Sequence, residues 1–179
     1  MLLNSIPTVK LANGVELPQL GLGTSHHGGF SEETFCFALG QGLRLIDTAQ
    51  RYGSEEAIGR CIARMGRQRE DLFLTTKLWP QHYGTCSEAT ARSLSNLNTD
   101  YLDLYLLHWP QAFDGTPITE VRRSLELLLE SEKVRAIGVS NFLERHLGKL
   151  SKSDLSRNFP CFSSVRLFIK KKIILLKSS

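Results

Sequence analysis

Short apolar runs recur along the first 150 residues at a regular interval. LRLID (43–47), DLFLTTKL (71–78), YLDLYLLH (101–108) and VRAIGVS (134–140) begin 28, 30 and 33 residues apart. They are mostly continuous rather than alternating, as expected for strands buried on both faces. Helical patterns fill the gaps. Ser31 is placed to cap a helix burying Phe35, Ala38 and Leu39, and Ser54 one burying Ala57, Ile58, Cys61, Ile62 and Met65. Ser87 precedes Ala91, Leu94 and Leu97. Thr116–Pro117 opens a helix with Ile118, Val121, Leu125, Leu128 and Leu129 at spacings of three and four. A further helix is expected after Asn141, with Leu143, Leu147 and Leu150 on one face.

Strand, helix, strand at a period of ~30 residues is the βαβ pattern and implies a parallel sheet. Ahead of it, Asn13-Gly14 between two short runs predicts a β-hairpin, and QLGLGT (19–24) reads as the first core strand. Five strands are thus expected, ending near Thr24, Asp47, Lys77, His108 and Ser140. After Leu150 the period is lost. The chain therefore divides into a body, 1–150, and a divergent basic tail, 151–179, in which RLFIKKKIILL offers an exposed strand or a short amphipathic piece.

Composition adds a few exclusions. Of 179 residues, 41% are hydrophobic and 22% charged, enough apolar material for a packed core. No apolar run approaches the ~20 residues of a membrane span, and Asn4, Pro7 and Lys10 interrupt any signal-peptide core, so a cytoplasmic protein without a membrane anchor is expected. The net charge of +4 is uneven: residues 1–150 carry 15 Lys and Arg against 17 Asp and Glu, whereas 151–179 carry 7 against Asp154 alone. The body therefore presents no basic face for nucleic acid. Cys36, Cys61, Cys86 and Cys161 contain no CxxC pair, which argues against a disulfide framework or a metal knuckle and for reduced thiols.

Polar residues fall at the strand ends. Asp47, Lys77, His108, and Ser140 with Asn141 each close an apolar run, and Tyr52 lies five residues past Asp47. Parallel strands bring their carboxyl ends to one face, the face that carries the site in α/β barrels. Any one of these residues has a plain structural use, as a loop cap, a snorkelling lysine or a satisfied core histidine. Their joint placement at successive strand ends points instead to proton transfer to an oxygen. A lysine ammonium beside a phenol makes it more acidic, and an aspartate holds the lysine in place, which suits the tyrosine to act as a general acid.

These residues and their surroundings resemble the aldo-keto reductases. GLRLIDTAQRYGSEEAIG (42–59), LTTKLWP (74–80), LDLYLLHWP (102–110) and IGVSNF (137–142) are similar to four motifs of that family, in order. The resemblance runs from about Ile6 to Leu147. It implies a (β/α)8 barrel, of which this chain carries about five of eight units, closed at the bottom by the N-terminal hairpin. It implies NADPH-dependent reduction of aldehydes or ketones by a monomer. Tyr52 would be the proton donor, Lys77 the residue that tunes it, Asp47 the partner of Lys77, and His108 the residue that orients the carbonyl. Trp79 and Trp109 would line an apolar substrate pocket. Ser140 and Asn141 would bond the nicotinamide carboxamide, and Thr24 and Asp47 would lie along the cofactor. No metal is implied. An aromatic residue often follows the Gly-Thr of the first strand in the family, where this chain has Ser25.

A full barrel needs roughly 300 residues and eight strands. Read as truncated after the fifth strand, the chain is expected to leave two sheet edges unpaired and the inner face exposed. The groups that stack on the nicotinamide and grip the 2′-phosphate would lie beyond the resembling part. Two function classes follow: a carbonyl reductase, or a catalytically inactive truncated isoform or fragment acting through protein interaction.

Overall fold

The computed structural model describes residues 6–25 and 29–151, together with two short strands at 164–165 and 173–174. The chain opens with an antiparallel hairpin, β1 (Thr8–Lys10) and β2 (Glu16–Pro18). Its turn is the expected Asn-Gly: Gly14 takes φ 88, and the Asn13 side chain accepts from the Val15 N–H at 3.3 Å. The Asn13 amide also donates to the Arg135 carbonyl at 2.8 Å, which pins the hairpin beneath the sheet.

Five βα units follow. They are β3 (Gly21–Gly23) with α1 (Glu32–Gly40), β4 (Leu45–Asp47) with α2 (Glu55–Met65), and β5 (Phe73–Leu78) with α3 (Cys86–Leu97). β6 (Leu104–Leu107) with α4 (Ile118–Glu130) and β7 (Ile137–Ser140) with α5 (Glu144–Ser151) complete the series. The strands pair in parallel in chain order from β3 to β7, giving the arc of a partial (β/α)8 barrel. All five end within one residue of the positions expected from the apolar runs.

The helices depart from expectation in detail. Ser31 caps α1 as expected, accepting from the Thr34 N–H at 3.2 Å. Ser54 occupies the cap position of α2 but makes no side-chain cap bond. Its hydroxyl is drawn into a buried cluster with Thr24 and Thr48, each 3.1 Å away. In α3 the first turn begins before Ser87, and the buried face is Cys86, Ala89, Thr90, Ser93 and Leu97, whereas Ala91 is exposed. Small and hydroxylated residues therefore form this face, which apolar periodicity alone does not pick out. α5 starts at Glu144, leaving Leu143 outside it and exposed. A Cβ on Gly59 of α2 would collide with the Asn96 carbonyl oxygen of α3, so the close approach of these helices requires glycine.

Three expectations are corrected. Cys36 and Cys61 are disulfide-bonded rather than reduced. The packing of α1 on α2 brings their Cα atoms to 5.7 Å, within the range a disulfide spans. Sequence separation hid the pair, because the two cysteines are 25 positions apart, one in α1 and the other in α2, with β4 between. The β7 edge is not left open: β9 (Ile173–Ile174) pairs antiparallel with Val139 and Ser140, and β8 (Ser164–Val165) pairs with β9. From β4 to β6 the inner face is not exposed either, whereas at β3 it is half-buried. Leu45, Phe73, Thr75, Leu104 and Leu106 are all buried, and the hairpin residues Leu11 and Leu17 belong to the same apolar core. The remainder of the tail from 152 onward, including its lysine run, lies outside the described residues.

Candidate active site at the carboxyl ends of the strands

The register fixes which side chains share the inner face. Asp47 pairs with Thr75, and Lys77 with Leu106, which pairs in turn with Gly138. Residues two apart on a strand point the same way. Asp47, Lys77, His108 and Ser140 therefore all face inward at the carboxyl end of the arc.

Lys77 is almost fully buried, and a buried ammonium requires partners. It has two: the Asp47 carboxylate oxygen at 2.5 Å and the Thr48 carbonyl oxygen at 2.8 Å, both at the end of β4. The stagger between β4 and β5, which sets Lys77 two residues beyond the partner of Asp47, gives the long side chain room to fold back onto that end.

Tyr52 comes from a single 3-10 turn, Gln50–Tyr52, directly after β4. Gly53 closes the turn at φ 69, a conformation glycine adopts without strain. The turn holds the Tyr52 ring between two groups: the Lys77 ammonium lies 5.2 Å from the ring centre, and the His108 ring meets it edge-on at 5.6 Å. The structure thus brings Asp47, Tyr52, Lys77 and His108 together. A cation, a phenol and an imidazole around one point are suited to delivering a proton to an oxygen and stabilising the charge left behind.

The Trp79 ring lies edge-on to His108 at 5.1 Å, and the Trp109 ring stacks on His108 at 6.4 Å. Trp109 is 39% exposed, so an aromatic wall faces solvent beside the histidine. The Tyr83 hydroxyl anchors this wall by donating to the Trp109 carbonyl and accepting from the Trp109 N–H. Burial pushes the Tyr83 phenol well above its ordinary value, although the Trp109 bond opposes this, so it stays protonated as a donor. Asp114 fixes the following loop. The N–H groups of Thr116 and Gly84 hold its carboxylate below the usual range.

Ser140 is buried at the end of β7, and Asn141 follows at φ 62. The Asn141 amide donates to the His108 carbonyl at 2.8 Å and to the Ser140 hydroxyl at 3.2 Å. Thr24 is also buried at the strand ends, but its hydroxyl is engaged with Thr48 at 2.9 Å and with Ser54.

Sequence reasoning missed Gln50. Its amide donates to the Ala89 carbonyl at 2.9 Å, to the Ser93 hydroxyl at 3.0 Å and to the Tyr105 hydroxyl at 3.4 Å, and its carbonyl accepts from the Trp79 N–H at 3.1 Å. It bolts the turn carrying Tyr52 to α3, β6 and the end of β5. No pattern in the sequence marks it, because Asp47, Thr48 and Arg51 around it are polar as well.

The sequence model of the aldo/keto reductase family matches residues 19–174. The chain belongs to the aldo/keto reductase family. The match continues through most of the segment after Leu150. Among relatives, the glyoxal reductase of Bacillus subtilis is 46% identical over 149 residues, covering 81% of this chain and 53% of its own length. An oxidoreductase of Caenorhabditis elegans is 43% identical, covering 81% of this chain and 47% of its own length. Among solved structures, an aldo/keto reductase from Brucella melitensis superposes with a TM-score of 0.75 at 42% identity, over 87% of this chain and 61% of that one. A Bombyx mori aldo-keto reductase in complex with NADP gives 0.76 at 32% identity, over 85% and 56%. The chain thus spans about half the length of the curated relatives it matches. The fold of the matched part is the aldo/keto reductase barrel.

Proposed function

We propose that this site reduces an aldehyde or ketone to an alcohol with NADPH as reductant. The observation that supports this best is the convergence of Lys77 and His108 on Tyr52, with Lys77 held by Asp47. In this reading Tyr52 donates its proton to the carbonyl oxygen. The Lys77 ammonium stabilises the negative charge that the phenol oxygen takes on, and Asp47 keeps that ammonium in place. His108 donates to the same oxygen and fixes the direction of the carbonyl. Trp79 and Trp109 hold the apolar part of the substrate.

The cofactor fits in part. A nicotinamide carboxamide offers one acceptor and a pair of donors, which the Ser140 hydroxyl and Asn141 amide match in kind at the end of β7. Thr24 fits less well, because its hydroxyl is turned into the Thr48 and Ser54 cluster. When bound, NADPH supplies the hydride that adds to the carbonyl carbon.

The test is NADPH consumption with 4-nitrobenzaldehyde. These 179 residues alone are expected to turn over little, because the resemblance places the grip on the 2′-phosphate, with charge-assisted contacts worth about 1.5–3 kcal/mol each, beyond the resembling part. A chimera extended after Asn141 with the remaining barrel of the Bacillus relative is expected to reduce the aldehyde, and Tyr52→Phe to abolish turnover while sparing NADPH binding. Undiminished turnover after Tyr52→Phe in the chimera would overturn the assignment.

A further inference from the structure

We propose that Arg51 makes this a site for carbonyl substrates that also carry a carboxylate, with the acid held in the cleft beyond Trp79. The proposal rests on the reductase reading and narrows its substrate class.

A cleft of about 500 Å³ opens beside the Tyr52 turn, and Arg51, Trp79, Gln81, His82 and Phe113 line it. Trp79 is the wall it shares with the candidate active site: one edge-on contact joins its ring to His108 at 5.1 Å, another joins it to Phe113 at 5.9 Å. The Arg51 guanidinium lies over the Trp79 ring, 5.7 Å from its centre. A substrate whose carbonyl meets Tyr52 and His108 thus has an aromatic surface alongside and a cation at the far end of that surface.

The chemistry of the cleft favours an anion. No aspartate or glutamate is among the described residues that line it. Arg51 is exposed and enters none of the ion pairs among the described residues, whereas Arg60, Arg64, Arg69, Arg122 and Arg135 each have a carboxylate partner. Stacking on Trp79 holds the guanidinium plane without using its N–H donors, which stay available for a bidentate carboxylate. Gln81 and His82 add further side chains able to donate. Because Arg51 immediately precedes Tyr52, the turn that positions the proton donor also positions the cation.

The experiment is a fluorescence titration of the 179-residue chain, whose two tryptophans, Trp79 and Trp109, both lie at the site. Benzaldehyde is compared with 4-carboxybenzaldehyde, in which one aromatic ring separates carbonyl from carboxylate. An exposed charge pair sits at the lower end of the charge-assisted range, so the acid is expected to bind roughly tenfold tighter. That advantage should shrink at high salt, disappear in Arg51→Gln and persist in Arg51→Lys. Equal affinities for the two aldehydes, or a preference that survives Arg51→Gln, would overturn the proposal. The readout does not depend on turnover. A carboxylate preference in the 179-residue chain, together with a chimera that shows no Tyr52-dependent reduction, would sink the reductase reading and leave the anion site standing. Tyr52-dependent reduction without the preference would do the reverse.

Discussion

The Asn141 side chain closes the gap between two strands of the arc. Its amide donates to the His108 carbonyl at 2.8 Å, from a backbone held in the left-handed region at φ 62. Asparagine tolerates this conformation better than most residues with a Cβ. Asn141→Gly should lose only the side chain's hydrogen bonds to the His108 carbonyl and the Ser140 hydroxyl, about 1 kcal/mol each. Asn141→Ala should lose the same bonds and add strain of about 1–2 kcal/mol. Thermal denaturation should therefore rank the proteins wild type, Gly, Ala, with roughly 2–4 °C per kcal/mol for a chain of this size. An alanine variant as stable as the glycine variant would show that the backbone is not strained there.

Lys77 and Asp47 are expected to behave as a buried pair. Their side chains are 3% and 13% exposed. Lys77→Met should cost about 3–5 kcal/mol in urea unfolding, because it leaves a largely buried carboxylate without its cation. The double variant Asp47→Leu with Lys77→Met should recover much of that loss. A double variant no more stable than the single one would mean that the pair is not what destabilises it.

The strand register, and with it the shared face of Asp47, Lys77, His108 and Ser140, was legible because continuous apolar runs end where β4 to β7 end. Local chemistry also marked the hairpin at Asn13-Gly14 and the Ser31 cap. What was not legible depends on contacts between elements. Ser54 reads as a cap, yet Thr24 and Thr48 compete for its hydroxyl and win. The Cys36–Cys61 bond exists because α1 packs on α2, and spacing carries no trace of that. The pairing of Ile173 and Ile174 with β7 is long-range, in a stretch where charge obscures the apolar pattern. Gln50 is ordinary in sequence and acquires its role only when α3, β5 and β6 surround it.

Alkaline pH should destabilise the fold through a buried group of acids. Burial pushes the Cys86 thiol up from its ordinary value near 9.0 to about 11, and raises the Tyr83 and Tyr105 phenols as well. The folded state therefore holds these protons more tightly than the unfolded chain does. Their contribution is fully present below the unfolded value, near pH 9 for the thiol, and is lost as pH rises through the folded one. The urea midpoint should fall between pH 9 and about 11, and Cys86→Ala should flatten that fall. An unchanged slope in Cys86→Ala would assign the loss to other groups.

Gln50 should be the most sensitive position near the site outside the four converging side chains. Its amide nitrogen reaches Ala89, Ser93 and Tyr105, and its oxygen takes the Trp79 N–H at 3.1 Å. Gln50→Leu keeps the approximate volume but removes every one of these bonds and strands the Trp79 N–H without its partner. A single unsatisfied buried group costs about 1–3 kcal/mol, so a loss of at least 2 kcal/mol in urea unfolding is expected. Gln50→Glu separates the two ends of the side chain. Its carboxylate still accepts from Trp79, but it cannot donate to the Ala89 carbonyl and places two acceptors together. If the bond to Trp79 sets the indole, tryptophan emission should stay near wild type in Gln50→Glu and shift to longer wavelength in Gln50→Leu, while both variants lose stability. Emission that shifts equally in the two would place the control of Trp79 in the α3 contacts, and wild-type emission with wild-type stability in Gln50→Leu would show that the turn carrying Tyr52 is held without Gln50.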